Sequence, residues 1–355
     1  MSKIHFKRRW LLWLLMIGFV WVVVSRYTEI EELLKILGQG QLLWVLAAAL
    51  LQMGYYTVFA ALYQAALHTV EVRSRLRELL PLMFVSLFVN VAAPTAGASG
   101  MALFMDDSAR RGESPTRTAA GLVLVLVTEF SAFMPLLVLG LLYLFFQHHL
   151  EAYQIIGAIL MVLLITGLTA VLLLGLWRPG VLRKLLLWAK QVANRVGGWF
   201  NRPALLSEDW PEATAAEFQE AARAIVAHPR RLAYTLTVAL ALHLVDLLSL
   251  YTLFRAFRQP VSFGALLAGY AMGFLFWIVS PTPQGVGVVE GVMALVYTSL
   301  GVGAEGATVI ALAFRGLTFW LPFGAGFLLL RRLKTFRARP QAPTGSPPRH
   351  QGTKV

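Results

Sequence analysis

Three ionisable side chains stand inside long apolar stretches of this sequence. Glu129 lies within the apolar residues 118–146. Arg315 lies within residues 307–330, and Glu290 stands in a third apolar stretch. A charge at the centre of a membrane costs about 2.5–3.5 kcal/mol on insertion scales, so such a side chain normally faces the protein interior or water. Two interpretations follow: a buried ion pair between Arg315 and either Glu129 or Glu290, or a headgroup site in which the guanidinium binds phosphate and a carboxylate binds an amine.

A short motif, P-T-x-x-x-x-G, occurs twice, each time where an apolar run breaks. It occupies residues 94–100 after the run 79–93, and residues 281–287 after the run 263–279. Proline removes a backbone donor and glycine permits unusual dihedral angles, so each copy predicts a break in a helix. Such a break is either a simple kink or a hairpin tip whose free amides and helix ends face a polar substrate.

The spacing from each motif to the next buried charge is nearly the same in both copies. Pro94 precedes Glu129 by 35 residues (129 − 94), and Pro281 precedes Arg315 by 34 (315 − 281). Membrane transporters are often built from duplicated units with broken helices, so the duplication favours a transport site. The residues that we expect to bind or translocate a substrate are Asn90, Pro94, Gly97, Gly100, Glu129, Asp246, Pro281, Pro283, Gly285, Gly287, Glu290 and Arg315.

Two more ionisable residues, His243 and Asp246, lie three positions apart within residues 232–254 and so share a helix face. We interpret them as a buried hydrogen-bonded pair or as a proton relay. The sequence shows no nucleophile elbow, no P-loop and no spaced set of metal ligands. We therefore expect no enzymatic activity, no metal and no cofactor, and any transport would be passive or driven by an ion.

Closely spaced glycines surround the second break. The sequence G-V-G-V-V-E-G is similar to a dinucleotide-binding fingerprint, but its spacing is off by one residue and it follows no soluble strand. We reject that interpretation. The pairs Gly269–Gly273 and Gly287–Gly291 have the G-x-x-x-G spacing, which predicts close packing between helices.

The composition indicates a membrane protein. Of the 355 residues, 58% are hydrophobic and 14% are charged, whereas a soluble domain carries roughly 25% charged residues. Several stretches exceed the roughly 18 apolar residues of a spanning helix, so we predict an all-α polytopic membrane protein. The net charge of +13 would also suit nucleic acid, but the basic residues stand at the ends of apolar segments, as in the positive-inside pattern. The sequence has no cysteine, which excludes disulfides.

The charges around the apolar segments predict an inverted repeat. The sequence predicts six spanning helices, at residues 10–25, 42–66, 118–146, 155–177, 232–254 and 307–330. It also predicts two broken segments, at residues 79–105 and 263–300. If both broken segments are re-entrant hairpins, most Lys and Arg residues fall on one side, which the positive-inside rule places in the cytoplasm with both termini. The repeat units, at about 42–146 and 232–330, then insert their hairpins from opposite sides.

One membrane domain, residues 1–336, is expected, followed by a disordered tail at 337–355 that is rich in Pro, Gly, Arg and Ser. The polar segment 178–231 should lie on the cytoplasmic surface. Within it, residues 212–227 predict an amphipathic helix on that surface. Its apolar face is formed by Phe218, Ala221, Ala222 and Ile225.

Four stretches of the chain resemble one known family. They are N-V-A-A-P-T-A-G-A-S-G (90–100), H-P-R-R-L-A-Y (228–234), P-T-P-Q-G-V-G-V-V-E-G (281–291) and F-R-G-L-T-F-W-L-P-F-G-A-G (314–326). The family is the lysylphosphatidylglycerol synthase transmembrane region family, also called flippase-like integral membrane proteins. The residues that match family positions are Pro283, Gly285, Gly287, Glu290 and Arg315.

The resemblance implies a lipid translocase in the cytoplasmic membrane of a bacterium or archaeon. The best understood members move aminoacylated phosphatidylglycerol and carry a soluble aminoacyl-transferase domain, which we do not expect here. Residues 101–104 and Phe130 stand where many relatives carry charged residues, which argues against a lysyl-phospholipid substrate. The expected partners are membrane lipids, either anionic phospholipids or isoprenoid-type lipids. Further possible partners are a second copy of the chain and a synthase of lipids or glycans. No binding of nucleic acid is expected.

Three functions follow from these observations. The favoured one is movement of a polar-headed lipid between leaflets, with the headgroup in a cavity between the two hairpin tips. The first alternative is a proton-coupled transporter of small solutes that uses Asp246 and His243. The second is a membrane partner, without transport activity, of an enzyme that modifies lipids or glycans.

Overall fold

The computed structural model describes residues 27–92, 97–199 and 208–330, which form helices and no strand. Five helices of this part of the chain are long and apolar enough to cross a membrane: Leu42–Thr69, Pro115–Phe146, Ala152–Trp177, Pro229–Ala256 and Ala304–Leu329. They confirm five predicted spans and an all-α polytopic membrane protein. The predicted span at 10–25 and the predicted disordered tail at 337–355 lie outside the described residues.

The first repeat unit consists of a long helix, a broken pair of helices and a second long helix, and a short helix precedes it. These are α1 Tyr27–Gln39, α2 Leu42–Thr69, α3 Leu76–Ala92, α4 Ala98–Arg110 and α5 Pro115–Phe146. Ser114 caps α5, because its hydroxyl accepts a hydrogen bond of 3.1 Å from the Arg117 amide. Pro115 suits the first helical position, where no N–H needs a partner.

The return limb of the first hairpin is longer than predicted. The sequence predicted an end at residue 105, but α4 continues to Arg110. An ion pair of 2.8 Å joins Asp106 to Arg110, and another of 2.9 Å joins Asp107 to Arg111. Such i,i+4 pairs stabilise the last turn of a helix, so charged residues that looked like loop continue the helix instead.

Three helices connect the two units: α6 Ala152–Trp177, α7 Pro179–Trp199 and α8 Trp210–Ala227. The predicted amphipathic helix exists as α8, and its apolar face packs on the protein; its place on the cytoplasmic surface stays a prediction. Phe218, Ala221, Ala222 and Ile225 are buried against the protein, where α8 packs on α5 and α6. The helix α7 exposes an apolar face through Val181, Leu185, Trp188 and Val192.

The second unit repeats the order of the first. Its helices are α9 Pro229–Ala256, α10 Phe263–Val279, α11 Val288–Ser299, α12 Ala304–Arg315 and α13 Leu321–Leu329. A 3₁₀ turn, Pro283–Gly285, lies between the limbs of the second hairpin. A π-helical turn, Gly316–Trp320, joins α12 to α13, so the last span is interrupted directly after Arg315.

The two repeat units make reciprocal contacts with each other. The long first helices, α2 and α9, pack along each other. The first hairpin packs through α3 on α13 of the second unit, and the second hairpin packs through α10 on α5 of the first unit. Equivalent helices therefore make equivalent contacts, as expected for two related units. Insertion of the hairpins from opposite sides of a membrane stays a prediction.

One of the two predicted glycine contacts is confirmed and the other is wrong. A Cβ atom added to Gly269 would overlap the ring of Tyr297, and one added to Gly273 would overlap Met293, so α10 and α11 touch through these glycines. An added Cβ on Gly287 or Gly291 would meet no atom within 4 Å. Glycine suits position 287 for a conformational reason instead, because the φ angle of Gly287 is +81°.

Candidate functional site

A cavity of about 730 Å³ lies between the two hairpins. Six of the predicted site residues line it, namely Asn90, Gly97, Glu129, Asp246, Pro281 and Arg315. Four others, Gly100, Gly285, Gly287 and Glu290, do not line it and lie at the tips of the hairpins or in the first turns of α4 and α11. Pro283 begins the 3₁₀ turn, and Pro94 lies outside the described residues.

The tip of the second hairpin uses an unusual backbone. Gln284 and Gly285 have φ angles of +56° and +68°, a region that residues other than glycine rarely adopt. A Cβ on Gly285 would also crowd Val289 and the main chain of Trp277. The strained Gln284 is held from two sides: Trp277 Nε1 donates to its Oε1 at 3.2 Å, and Arg315 donates to its carbonyl oxygen at 2.8 Å.

Arg315 joins this tip to the last span. Its Nε donates to Glu290 Oε1 at 3.0 Å, and the guanidinium lies 5.5 Å from the centre of the Phe319 ring. The other carboxylate oxygen of Glu290 accepts from the Gly287 amide at 2.7 Å and caps α11. Of the two predicted ion pairs, the structure contains Glu290–Arg315, while Glu129 is not joined to Arg315.

The π-helical turn after Arg315 has a local cause that the sequence analysis missed. Pro322 has no N–H to donate to the carbonyl four residues earlier, which belongs to Thr318. The hydroxyl of Tyr56 on α2 donates to that carbonyl at 3.0 Å instead. The freed carbonyl is thus satisfied across the unit boundary, beside the cavity that both residues line.

A neutral side chain joins the two limbs of the first hairpin. Asn90 on α3 accepts through Oδ1 from the Gly100 amide at 2.8 Å and from the Ser99 hydroxyl at 3.0 Å, which caps α4. A Cβ on Gly100 would overlap Asn90 and Ser86, so glycine is required for this approach. The expectation of free amides at the tips is therefore wrong for Gly100 and Gly287, because Asn90 and Glu290 already bind them.

The predicted pair of His243 and Asp246 does not form. The His243 ring shares one hydrogen bond of 2.9 Å with the Tyr270 hydroxyl and another of 3.0 Å with the main-chain oxygen of Glu129. Asp246 points instead toward Gln52 and Tyr270. Both nitrogens of the buried His243 are thus used within the helix packing, and a direct relay from His243 to Asp246 has no geometric basis.

Two acidic side chains, Glu129 and Asp246, line the cavity. Glu129 and Asp246 are only 2% and 5% exposed, and Gln52 beside Asp246 is fully buried. Among the described residues, Glu129 Oε1, Asp246 Oδ1 and both polar side-chain atoms of Gln52 have no hydrogen-bond partner. These two acids have no cationic partner among the described residues, whereas Arg315 is balanced by Glu290.

Sequence reasoning missed several polar residues of the cavity. They are Tyr55, Tyr56, Tyr270, Trp277, Thr282 and Gln284 on its wall, with Gln52 behind them. Gln52 could have been noticed as an uncharged polar residue within an apolar span, and Gln284 as a member of the second motif. The tyrosines gave no signal, since aromatic residues are common in spanning helices. The described residues contain no group of three His, Cys, Asp or Glu residues that could hold a metal.

Comparison with known proteins agrees with the resemblance in the motifs. The family model for the lysylphosphatidylglycerol synthase TM region matches residues 10–326. A UPF0104 membrane protein of Pyrococcus horikoshii is 21% identical over 90% of this chain and 97% of its own length. Another from Methanocaldococcus jannaschii is 22% identical over 90% of this chain and 94% of its length. The match to the family model covers most of the sequence, and this chain belongs to the lysylphosphatidylglycerol synthase TM region family.

Proposed function

We propose that this protein moves a polar-headed lipid between the two leaflets of a cytoplasmic membrane. The observation that carries the proposal is the cavity between the two hairpins, which collects polar and charged side chains from both repeat units. Irregular backbone at membrane depth is tolerated where it lines such a cavity. The headgroup would occupy the cavity while the acyl chains stay in the surrounding lipid.

The chemistry of the cavity suits a headgroup that is polar but not strongly charged overall. Arg315 provides a donor surface for a phosphate, although Glu290 already neutralises part of its charge. Glu129 and Asp246, which line the same cavity, would attract a cationic or hydroxylated part of the headgroup. Tyr55, Phe274 and other aromatic side chains cover much of the remaining wall, which suits the glycerol or isoprenoid region next to the phosphate.

A cavity-filling substitution tests this proposal. Leu126 on α5 lines the cavity, so Leu126→Trp should occupy it and remove most of the lipid exchange. Purified protein in vesicles with a trace of fluorescent lipid, bleached from outside by a reductant, reports the fraction of lipid that crosses. The lipids to compare are an anionic phospholipid, a zwitterionic phospholipid and an isoprenoid phosphate, each with and without imposed pH and Na⁺ gradients.

The matched control lies on the same helix. Leu139 is 52% exposed and does not line the cavity, so Leu139→Trp should keep the wild-type rate. If wild type and Leu139→Trp move none of the three lipids faster than protein-free vesicles, the proposal is wrong. In that case, capture of a lipid- or glycan-modifying enzyme with the intact protein would favour the role of a membrane partner.

The proposed topology places the two hairpins on opposite sides, with both termini in the cytoplasm. Because the chain has no cysteine, a single engineered thiol can be located without removing others. We expect Ala109→Cys to be protected from a membrane-impermeant thiol reagent in intact cells, and Gly303→Cys to be labelled. Both sites are exposed. Labelling of both from the same side would contradict the inverted repeat.

A further inference from the structure

Three buried polar side chains from three helices lie beside the cavity, and each has at least one side-chain atom without a hydrogen-bond partner. They are Gln52 on α2, Glu129 on α5 and Asp246 on α9, and each is at least 95% buried. The unpartnered atoms are three oxygens, one from each residue, together with the Gln52 amide nitrogen. Buried polar atoms in a folded protein are normally hydrogen-bonded, so this concentration of oxygens indicates an occupant.

The neighbours provide no positive charge for these carboxylates. The titratable groups near them are Tyr55, Tyr56 and Tyr63 on α2, His243 on α9, Tyr270 on α10 and Arg315 on α12. Arg315 is bound to Glu290 and to the Gln284 carbonyl. His243 contacts only the main-chain oxygen of Glu129, not its carboxyl group. The charged group that acts on Glu129 is Asp246, another acid.

Two acids cannot both stay ionised at low cost in such a place. Burial of an uncompensated carboxylate is expensive, and a like charge nearby adds repulsion. A monovalent cation removes both costs, either as a proton shared by the pair or as Na⁺ bound by the oxygens. The neutral carboxamide of Gln52 adds an oxygen ligand without further negative charge. A divalent cation is disfavoured, because no third carboxylate stands in the described neighbourhood.

We propose that Gln52, Glu129 and Asp246 form a binding site for one monovalent cation, H⁺ or Na⁺, in the wall of the cavity. Resting on the proposed function, we infer that filling and emptying of this site is coupled to passage of the headgroup. Glu129 and Asp246 line the same cavity as Arg315. The cation would change the charge that a headgroup meets and would let an ion gradient drive the exchange.

Charge displacement in vesicles tests the binding site separately from lipid movement. Purified full-length protein is adsorbed as proteoliposomes of uncharged lipid on a capacitive electrode, and the solution is switched in pH at zero Na⁺, or in Na⁺ at constant pH. Wild type should give a transient current in one of the two arms. The arm that responds identifies the cation. Glu129→Gln with Asp246→Asn should lose the current.

Two further variants make the result interpretable. Gln52→Ala keeps both acids, so it should reduce a Na⁺ transient and leave a proton transient. Asp106→Asn removes a partly exposed acid of the α4 surface and should leave the current unchanged. Each variant is checked for a single chromatographic peak, and the Asp246→Asn protein alone replaces the double variant if that one fails to fold.

The outcomes separate this inference from the proposed function. If neither switch produces a current above protein-free vesicles, or if the acid-free variant matches wild type, the cation site is wrong, even where lipid exchange is seen. If the current depends on the acids but no lipid moves, the site stands and lipid translocation fails. If the current stands and lipid exchange ignores both gradients, the coupling is wrong.

Discussion

Arg315→Ala is expected to lower the free energy of unfolding by about 3–5 kcal/mol, because it leaves the Glu290 carboxylate buried without its cation. The two side chains are only 8% and 18% exposed, and they lie 3.0 Å apart. The substitution also leaves the carbonyl of the strained residue Gln284 without its donor. The second hairpin should therefore loosen from the last span, and lipid exchange should fall with it. The apparent unfolding temperature in detergent measures the effect.

Two comparisons isolate the buried pair. Arg183 and Glu212 form an ion pair of 2.8 Å with side chains that are 56% and 47% exposed, so Arg183→Ala should cost less than about 1 kcal/mol. Arg315→Met combined with Glu290→Gln should recover much of the stability, because it removes both charges and keeps an oxygen for the Gly287 amide. Equal small losses for Arg315→Ala and Arg183→Ala would show that the pair does not hold the hairpin.

Gly326→Leu is expected to separate the first hairpin from the second unit. A Cβ at Gly326 would overlap the main-chain carbonyl of Phe84 and lie 2.6 Å from the Phe88 Cβ. Main-chain atoms of a helix cannot turn aside as the end of a side chain can, so α13 and α3 must move apart. Overpacking of this kind costs about 1–3 kcal/mol or more, and a leucine at a main-chain contact belongs at the upper end.

The control for this prediction lies two residues away. Gly324 is on the same helix, and an added Cβ there would meet no atom within 4 Å. Gly324→Leu should therefore change the unfolding temperature little, while Gly326→Leu should lower it and reduce the yield of monodisperse protein. A Gly326→Leu protein that matches the Gly324→Leu protein in both respects would contradict the close crossing of α3 and α13.

Local features explain why the sequence predicted the helices well. The length of an apolar run fixes whether it can span, and Pro and Gly at the two motifs remove or redirect backbone hydrogen bonds wherever they occur. The sequence was less informative where contacts with other side chains or with a neighbouring helix decide the local structure. The sequence predicted α8 as an amphipathic helix but not what its apolar face packs against, and in the structure α5 and α6 cover that face. Charges in the last turn of α4 looked like a loop until their i,i+4 pairs were seen.

The sequence predicted which residues lie at the cavity better than it predicted which of them contact one another. Asn90 and Glu290 stood among the expected site residues, and in the structure they also cap the second limbs of the two hairpins. Gln52 carries no charge and belongs to no motif, so nothing local marked it. It matters because α2 and α9 pack together and bring it beside Asp246.

The sequence by itself determined an all-helical membrane chain with two related breaks and a few costly charges at membrane depth. It could do so because apolar length, proline, glycine and buried charge act within one segment. The tertiary structure alone decided that Arg315 binds Glu290, that His243 binds Tyr270, and that Glu129 and Asp246 share a wall of one cavity. These contacts depend on which helices lie side by side. The sequence offers several partners of the same chemical type for each buried polar side chain, and only the packing of the helices selects one of them.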